Sequence, residues 1–357
     1  MEGNNENTGW SVFLPKEQKS IRLDKRDLLL LDALRENSRL SLNVLNKITK
    51  LSKSSILNRI NNLEKEGIIK GYFTLVNIHN LGYRMTSISI KTKMTLIEKE
   101  KYIQYLKKIP YLNQIITFAS TEWDFLVRIY SKDTKHFNDI IEAVTDFPGV
   151  LDIEFFPLEY WQINLKKHFF TDFNLNSFIK KEDSSFYKSF QKKKTKKVEV
   201  DEKDLALIYH LSKNSRFQLI TLAEKIDLSP DAISYRIKKL IQKGIIESFI
   251  AVPDLYFFGF IPYLFNIQIY KRNKTQRIID FIINNISSTG VLVSRNSWNI
   301  QAFVFVKNPK ELKEFEEALI HKFSNEIHNY KILQLKEQPY FDFFPKEFLS
   351  TIKEEKP

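Results

Sequence analysis

The chain of 357 residues contains no cysteine, which excludes disulfides, thiolate metal sites and cysteine nucleophiles and fits a reducing compartment. Glycine is scarce at nine residues, and none of them builds a phosphate-cradling loop or a Gly-x-Ser-x-Gly nucleophile elbow. The six histidines (His79, His136, His168, His210, His321 and His328) are scattered, without the ligand spacing of a zinc site. A membrane-spanning helix needs ~20 consecutive apolar residues. The most apolar stretch, Leu255–Tyr270, is interrupted by Pro262 and reads as a buried strand with its lead-in. The opening Met-Glu-Gly-Asn-Asn-Glu lacks the basic segment and apolar run of a secretory leader. Together these absences lead to the expectation of a cytoplasmic protein with no metal or cofactor, no membrane contact and no enzymatic activity.

What is present is apolar and basic. The hydrophobic fraction is 43%, with 29 Phe and 15 Tyr, enough to build real cores. At ~150 residues per domain the length suggests two or three domains. The net charge is +12 and the isoelectric point about 9.4, which favours anionic partners such as double-stranded DNA. Part of the charge is concentrated: residues 166–198 hold ten lysines against three acids. That segment reads either as a solvated linker or as a phosphate-contacting one.

The chain also repeats itself. A shift of 177 residues aligns two segments without a gap. Asp24 and Asp27 meet Asp201 and Asp204; Asn37-Ser38-Arg39 meets Asn214-Ser215-Arg216; Leu51-Ser52 meets Leu228-Ser229. Ile56, Arg59, Ile60 and Leu63 meet Ile233, Arg236, Ile237 and Leu240, and Gly67-Ile68-Ile69 meets Gly244-Ile245-Ile246. Trp123 and Trp298 then fall near one another, each just inside an alternating run.

Within the first copy three short helices are legible: 24–36, capped by Asp24; about 42–48; and a third capped by Ser52, with Ile56, Ile60 and Leu63 on one face, stopping at Gly67. This is a helix-turn-helix. The polar positions Ser52, Lys53, Ser54, Ser55, Asn58, Arg59 and Asn62 suit a helix lying in a DNA major groove. A surface helix also shows a polar face, so the repeat and the three-helix pattern carry the assignment. Residues 68–76 alternate and read as a short strand or wing. In the second copy the third helix starts at Ser229-Pro230, and its candidate DNA contacts are Ser229, Ser234, Tyr235, Arg236 and Lys239. Residues 22–72 carry 11 basic and 6 acidic residues, whereas 199–250 carry 8 of each. Phosphate attraction dominates affinity, so the first copy is expected to be the main reader. The second is then either a weaker half-site reader or a structural partner.

Each helix-turn-helix is followed by a strand-helix-strand-strand-helix-strand pattern, the split βαβ, ferredoxin-like order. The expected fold is α+β: two winged helix-turn-helix domains, each with a βαββαβ module, in tandem duplication. The expected boundaries are a disordered tail (1–20), helix-turn-helix A (21–80), module A (81–165), a basic linker (166–198), helix-turn-helix B (199–257), module B (258–340) and a C-terminal tail (341–357).

In this order of domains, and in Leu23-Asp24 with Asp27, Asn37-Ser38-Arg39, Leu51-Ser52, Arg59-Ile60, Leu63, Gly67-Ile68-Ile69 and Leu81-Gly82-Tyr83, the chain resembles the leucine-responsive (Lrp/AsnC) transcription regulators. The resemblance covers nearly all of the first repeat and most of the second. It implies sequence-specific DNA binding, with βαββαβ modules that assemble dimers and sometimes bind amino acids. Two units in one chain imply an intrachain pseudo-dimer, with homo-oligomers of whole chains as a further expectation. The family places a glycine shortly before an aromatic-Asp pair at the effector site. Here Trp123-Asp124 supplies the pair without the glycine, and the second copy has Asn296-Ser297-Trp298-Asn299. Trp123 and Asp124 are therefore candidate effector contacts, with core packing as the alternative for the tryptophan.

Siroheme decarboxylases resemble this chain in their paired regulator units. Their pocket uses a His-Asn-Tyr type strand and a following Arg. Here Ser294-Arg295 and Trp298-Asn299-Ile300 occupy that region without the His and Tyr, and the first repeat has Phe118-Ala119-Ser120. A tetrapyrrole enzyme and a non-DNA-binding scaffold on the same fold are the alternatives to a regulator.

Overall fold

Residues 22–163, 169–171, 198–270 and 272–350 are described by the structure, a computed structural model. Helix α1 (Lys25–Glu36) starts where the Asp24 carboxylate accepts the backbone N–H of Arg26 and Asp27, while Asp27 reaches back to the N–H of Asp24. Ser41 caps α2 (Leu42–Thr49), and Ser52 caps α3 (Lys53–Lys65). The second copy repeats the three helices as α6 (Glu202–Lys213), α7 (Leu219–Ile226) and α8 (Pro230–Gln242), with Asp201 and Ser229 as caps and no side-chain cap on α7. The turn between the second and third helices passes through left-handed backbone at Lys50 (φ 59°) and Asp227 (φ 57°), the same position in both repeats. Helices α4 (Leu96–Leu106) and α5 (Thr134–Thr145) belong to module A, and α9 (Thr275–Asn285) and α10 (Pro309–Phe323) to module B.

The segments expected as wings do not stand free. Strands β1 (Ile69–Val76) and β6 (Ile246–Pro253) pair antiparallel with each other. Phe73 pairs with Ile250, its own counterpart at the 177-residue shift, so a pseudo-two-fold axis passes through that pair. The axis also passes between Ser38 and Ser215, whose buried hydroxyls lie 2.6 Å apart. Around it the contacts come in matched pairs. The Arg39 guanidinium donates to the Ser215 carbonyl and stacks on Phe249; Arg216 donates to the Ser38 carbonyl and stacks on Tyr72. The Asn77 N–H donates to the Ile245 carbonyl, and the Asp254 N–H to that of Ile68. The matching Asn-Ser-Arg tripeptides thus join the two helix-turn-helix units. Partner backbone over α1 also explains why Leu30, Leu31, Ala33 and Leu34 are all buried, wider than the single stripe of a surface helix.

Module A contributes strands β2 (Arg84–Thr92), β3 (Leu112–Phe118), β4 (Phe125–Ser131) and β5 (Val150–Ile163). Module B contributes β7 (Ile261–Ile269), β8 (Ser287–Ser294), β9 (Ile300–Val306) and β10 (Ile327–Phe341). The sheets join edge to edge through β5–β8 and β10–β3 into one closed eight-stranded barrel, β10-β3-β4-β2-β5-β8-β9-β7. Closure leaves neither module an open edge. Gly290 on β8 makes room at one seam, because a Cβ there would lie 2.3 Å from the indole nitrogen of Trp161 on β5.

On module B, Ile278 and Ile282 of α9 and Leu319 of α10 share one core with Phe265 and Ile267 of β7. Inside the barrel the buried Arg128 guanidinium stacks 4.7 Å over Phe303 of the other module and donates to Ser87 and Gln114. Burial pushes its pKa down to about 10, partly offset by Tyr130.

Two boundary expectations change. Residues 342–350, read from sequence as tail, fold into the body: Phe344 and Phe348 are buried, and Lys213 of α6 pairs with Asp342 at 2.5 Å. Residues 169–171, inside the expected linker, are docked on α1. The Asp32 carboxylate accepts the N–H of Phe169 and the N–H and hydroxyl of Thr171, and Arg35 stacks on Phe169. The lysines of that linker and the expected N-terminal tail lie outside the described residues. Among the described residues no helix is long and apolar enough to cross a membrane.

Candidate nucleic-acid interface

In α3, Ile56, Ile60 and Leu63 lock the inner face into the helix-turn-helix core, which turns Lys53, Ser54, Leu57, Asn58, Asn61 and Asn62 outward. Ser52 is exposed, but its hydroxyl is occupied as N-cap, accepting the N–H of Ser55 at 3.2 Å and meeting the Ser54 hydroxyl at 3.1 Å. Ser55 is half-buried. The helix therefore presents a capped N-terminus with short polar side chains around it, free of acidic residues in its first turn. That combination fits close approach to a phosphate backbone.

Arg59, expected among the DNA contacts, is engaged within the protein: its guanidinium lies 2.9 Å from Asp24 and 2.7 Å from Asp27, the two carboxylates of the α1 capping box. Arg236 repeats this with Asp201 and Asp204 at 2.7 and 2.6 Å. Burial works against ionisation of Asp24 and Asp201, but hydrogen bonds from the arginines and from backbone N–H groups outweigh it and hold both carboxyls below their usual range. Both arginines clamp the third helix to the start of the first. The matching Asp residues at the 177-residue shift already held the signal for this.

In α8 the Ser229 hydroxyl caps Ala232 and Pro230 occupies the first turn. Asp231, Tyr235 and Lys238 are exposed, Tyr235 at 66%, while Ser234 and Lys239 are half-buried.

Both residues of the candidate effector pair are engaged within module A. Trp123 is buried. The Asp124 carboxylate is occupied, accepting the N–H and hydroxyl of Thr92 at 2.7 and 3.0 Å and pairing with Lys99 at 2.5 Å. Burial opposes its ionisation, and these partners more than compensate, holding its pKa low. Asp124 ties the hairpin turn to the end of β2. Asn299 does the same in module B, accepting the N–H of Ile269 at 2.8 Å.

A cavity of about 350 Å³ lies at the β5–β8 seam, where Ser294, Arg295 and Asn299, already singled out in the sequence, meet Glu159 and Tyr160 of the other module, which were not. It is lined by Glu159 and Tyr160 of β5, Thr275 and Gln276 at the start of α9, Ser294 at the end of β8 and Arg295 just after it. Arg295 and Glu159 are ion-paired at 2.6 Å beside it. Among the described residues no cluster of three or more His, Asp or Glu side chains is arranged to hold a metal ion.

Comparison with known proteins agrees with this architecture. A winged helix-turn-helix DNA-binding family model matches residues 23–70 and again 200–247. The HTH-type transcriptional regulator FL11 of Pyrococcus furiosus is 30% identical over 131 residues, covering 36% of this chain and 83% of that protein. The transcriptional regulator AzlB of Bacillus subtilis is 28% identical over 138 residues, 38% of this chain and 87% of its own length. A solved structure of the siroheme decarboxylase NirDL, bound to an iron-uroporphyrin III analogue, matches 92% of this chain and 98% of that one, with a TM-score of 0.61 and 12% identity. That likeness is one of fold. It overturns the expectation that enzymatic activity is excluded, since the whole-chain architecture is one an enzyme also uses. The capped, outward-facing reading helices, the paired modules and the FL11 likeness together place this chain in the Lrp/AsnC family of transcription regulators, with the family unit present twice.

Proposed function

We propose that this chain is a sequence-specific, double-stranded-DNA-binding transcription regulator of the Lrp/AsnC type acting in the cytoplasm, with helix-turn-helix A as its main reader. The observation that carries this reading is the exposed face of α3, whose Lys53, Ser54, Asn58 and Asn62 project from a unit with 11 basic and 6 acidic residues. Ser52 and Ser55 would present the helix N-terminus to phosphate, and Ser229, Ser234, Tyr235 and Lys239 would make the corresponding contacts from α8. The test is a gel-shift titration against genomic fragments at several salt concentrations. The log of the affinity should fall linearly with the log of the salt concentration, with a slope set by the number of phosphates contacted. Absence of salt-dependent binding would refute the reading.

An amino-acid effector fits the seam cavity better than Trp123-Asp124. An amino acid bound there would exchange the Arg295–Glu159 ion pair for contacts of its carboxylate with Arg295 and of its ammonium with Glu159. Thermal shifts with the twenty amino acids, repeated on Arg295→Ala, test this.

A second reading, a tetrapyrrole decarboxylase, rests on the whole-chain fold likeness to NirDL. Incubation with siroheme, followed by its absorbance and by carbon dioxide release, separates it from the first.

A further inference from the structure

Resting on the DNA-binding reading, we propose that this chain recognises a non-palindromic operator, made of two half-sites of different sequence set about the pseudo-two-fold axis. Operator symmetry mirrors protein symmetry, so identical recognition helices select identical half-sites. In this chain the backbone is symmetric and the reading surface is not.

The residues that seat the third helix in the two units are the same. Ile56, Ile60 and Leu63 match Ile233, Ile237 and Leu240, and the Arg59 clamp matches that of Arg236. The β1–β6 register and the Ser38–Ser215 contact hold the units in two-fold relation. Past the shared cap serines Ser52 and Ser229, the outer positions differ: Lys53 against Pro230, Ser54 against Asp231, Leu57 against the half-buried Ser234, Asn58 against Tyr235, Asn61 against Lys238 and Asn62 against the half-buried Lys239. Along the third helices, identity falls on the cap serine and the packed positions, and difference on the face that turns away from the core.

The chemistry of the two faces is directional. Asn58, Asn61 and Asn62 match the donor-acceptor edge of adenine. Asp231 repels phosphate and is useful only opposite a base donor, best the cytosine N4 amine, since adenine sets its N7 acceptor beside its N6 amine. The exposed Tyr235 ring suits a thymine methyl, and Lys238 suits guanine or phosphate. Half-site A is therefore adenine-directed, and half-site B carries a cytosine and a thymine.

The experiment is selection of bound duplexes from a random-sequence pool by the full chain, by Asn58→Ala and by Tyr235→Ala. Both substitutions fall on exposed side chains, and unchanged thermal unfolding verifies that each variant is folded. Selected half-sites are then recombined as A·B, A·A and B·B and titrated. The expected result is two unlike half-sites, each variant relaxing only its own half, and A·B binding about tenfold tighter than A·A. A palindromic consensus, or A·A equal to A·B, overturns this inference and leaves the DNA-binding reading standing. A consensus of one half-site only, unaffected by Tyr235→Ala, overturns it too. No enrichment and no salt-dependent affinity would overturn both.

Discussion

Replacing Arg59 by Ala should destabilise helix-turn-helix A without removing a DNA contact, the reverse of what its place on the recognition helix suggests. The guanidinium reaches Asp24 at 2.9 Å and Asp27 at 2.7 Å, and Asp27 is only 13% exposed. A hydrogen bond to a charged group contributes about 1.5–3 kcal/mol where it is shielded, while an exposed ion pair contributes about 0–1 kcal/mol. With Asp27 shielded and Asp24 open to solvent, the loss is about 1–3 kcal/mol. Thermal unfolding and amide exchange at Arg26 and Asp27, the two donors of the cap, read it out. Asn58→Ala, one residue away and exposed, should leave both unchanged and weaken operator binding. The pH profile carries the same signature. Because Asp24 has a depressed pKa in the folded chain, its contribution is present above its ordinary value of 3.8 and is lost as pH falls through the folded value. Wild type and Arg59→Ala should therefore converge in stability at strongly acid pH. If Arg59→Ala unfolds like wild type at neutral pH yet loses operator affinity, the clamp assignment is wrong and Arg59 reads DNA.

Ser38→Ala should cost about 1–3 kcal/mol, because the Ser215 hydroxyl is left buried without its partner, and the Ser38→Ala/Ser215→Ala double variant should cost less than the two singles summed; additive denaturant-unfolding values would count against a shared axial contact. Glu36 has its pKa raised to about 7 by burial, with Arg35 opposing and Asp32 adding to the rise. The folded chain then binds a proton that the unfolded chain, at about 4.5, does not. Its contribution is therefore full below pH 4.5 and lost as pH rises through about 7, and Glu36→Gln should flatten the melting-temperature profile over that range. Gly290→Ala forces a methyl against the Trp161 indole at 2.3 Å and should loosen the β5–β8 seam, seen as a changed Trp fluorescence and a lowered melting temperature. Asp32→Ala removes three hydrogen bonds to Phe169 and Thr171, so amide exchange at those two residues should accelerate while the barrel strands stay protected.

The helices, their caps and most strand positions were legible because they rest on short-range signals: Asp24 and Ser52 as N-caps, Ile56, Ile60 and Leu63 at helical spacing, alternation along 125–130. The duplication was legible as a single ungapped shift. The site was legible only in part. Lys53, Ser54, Asn58 and Asn62 do face outward, whereas Arg59, Arg236 and Asp124 turn inward onto partners that are local in space but 25 to 35 residues distant in sequence. A charged side chain on a helix reads the same from sequence whether it meets DNA or a neighbouring carboxylate.

By itself the sequence determined that this chain carries one regulator unit twice, since hydrophobic spacing and capping residues act over a few positions and recur at the 177-residue shift. Tertiary structure alone decided how the copies meet. The β1–β6 pairing, the Ser38–Ser215 contact and the two barrel seams join residues far apart along the chain, where strand-edge complementarity and burial select the partner and no local periodicity records it.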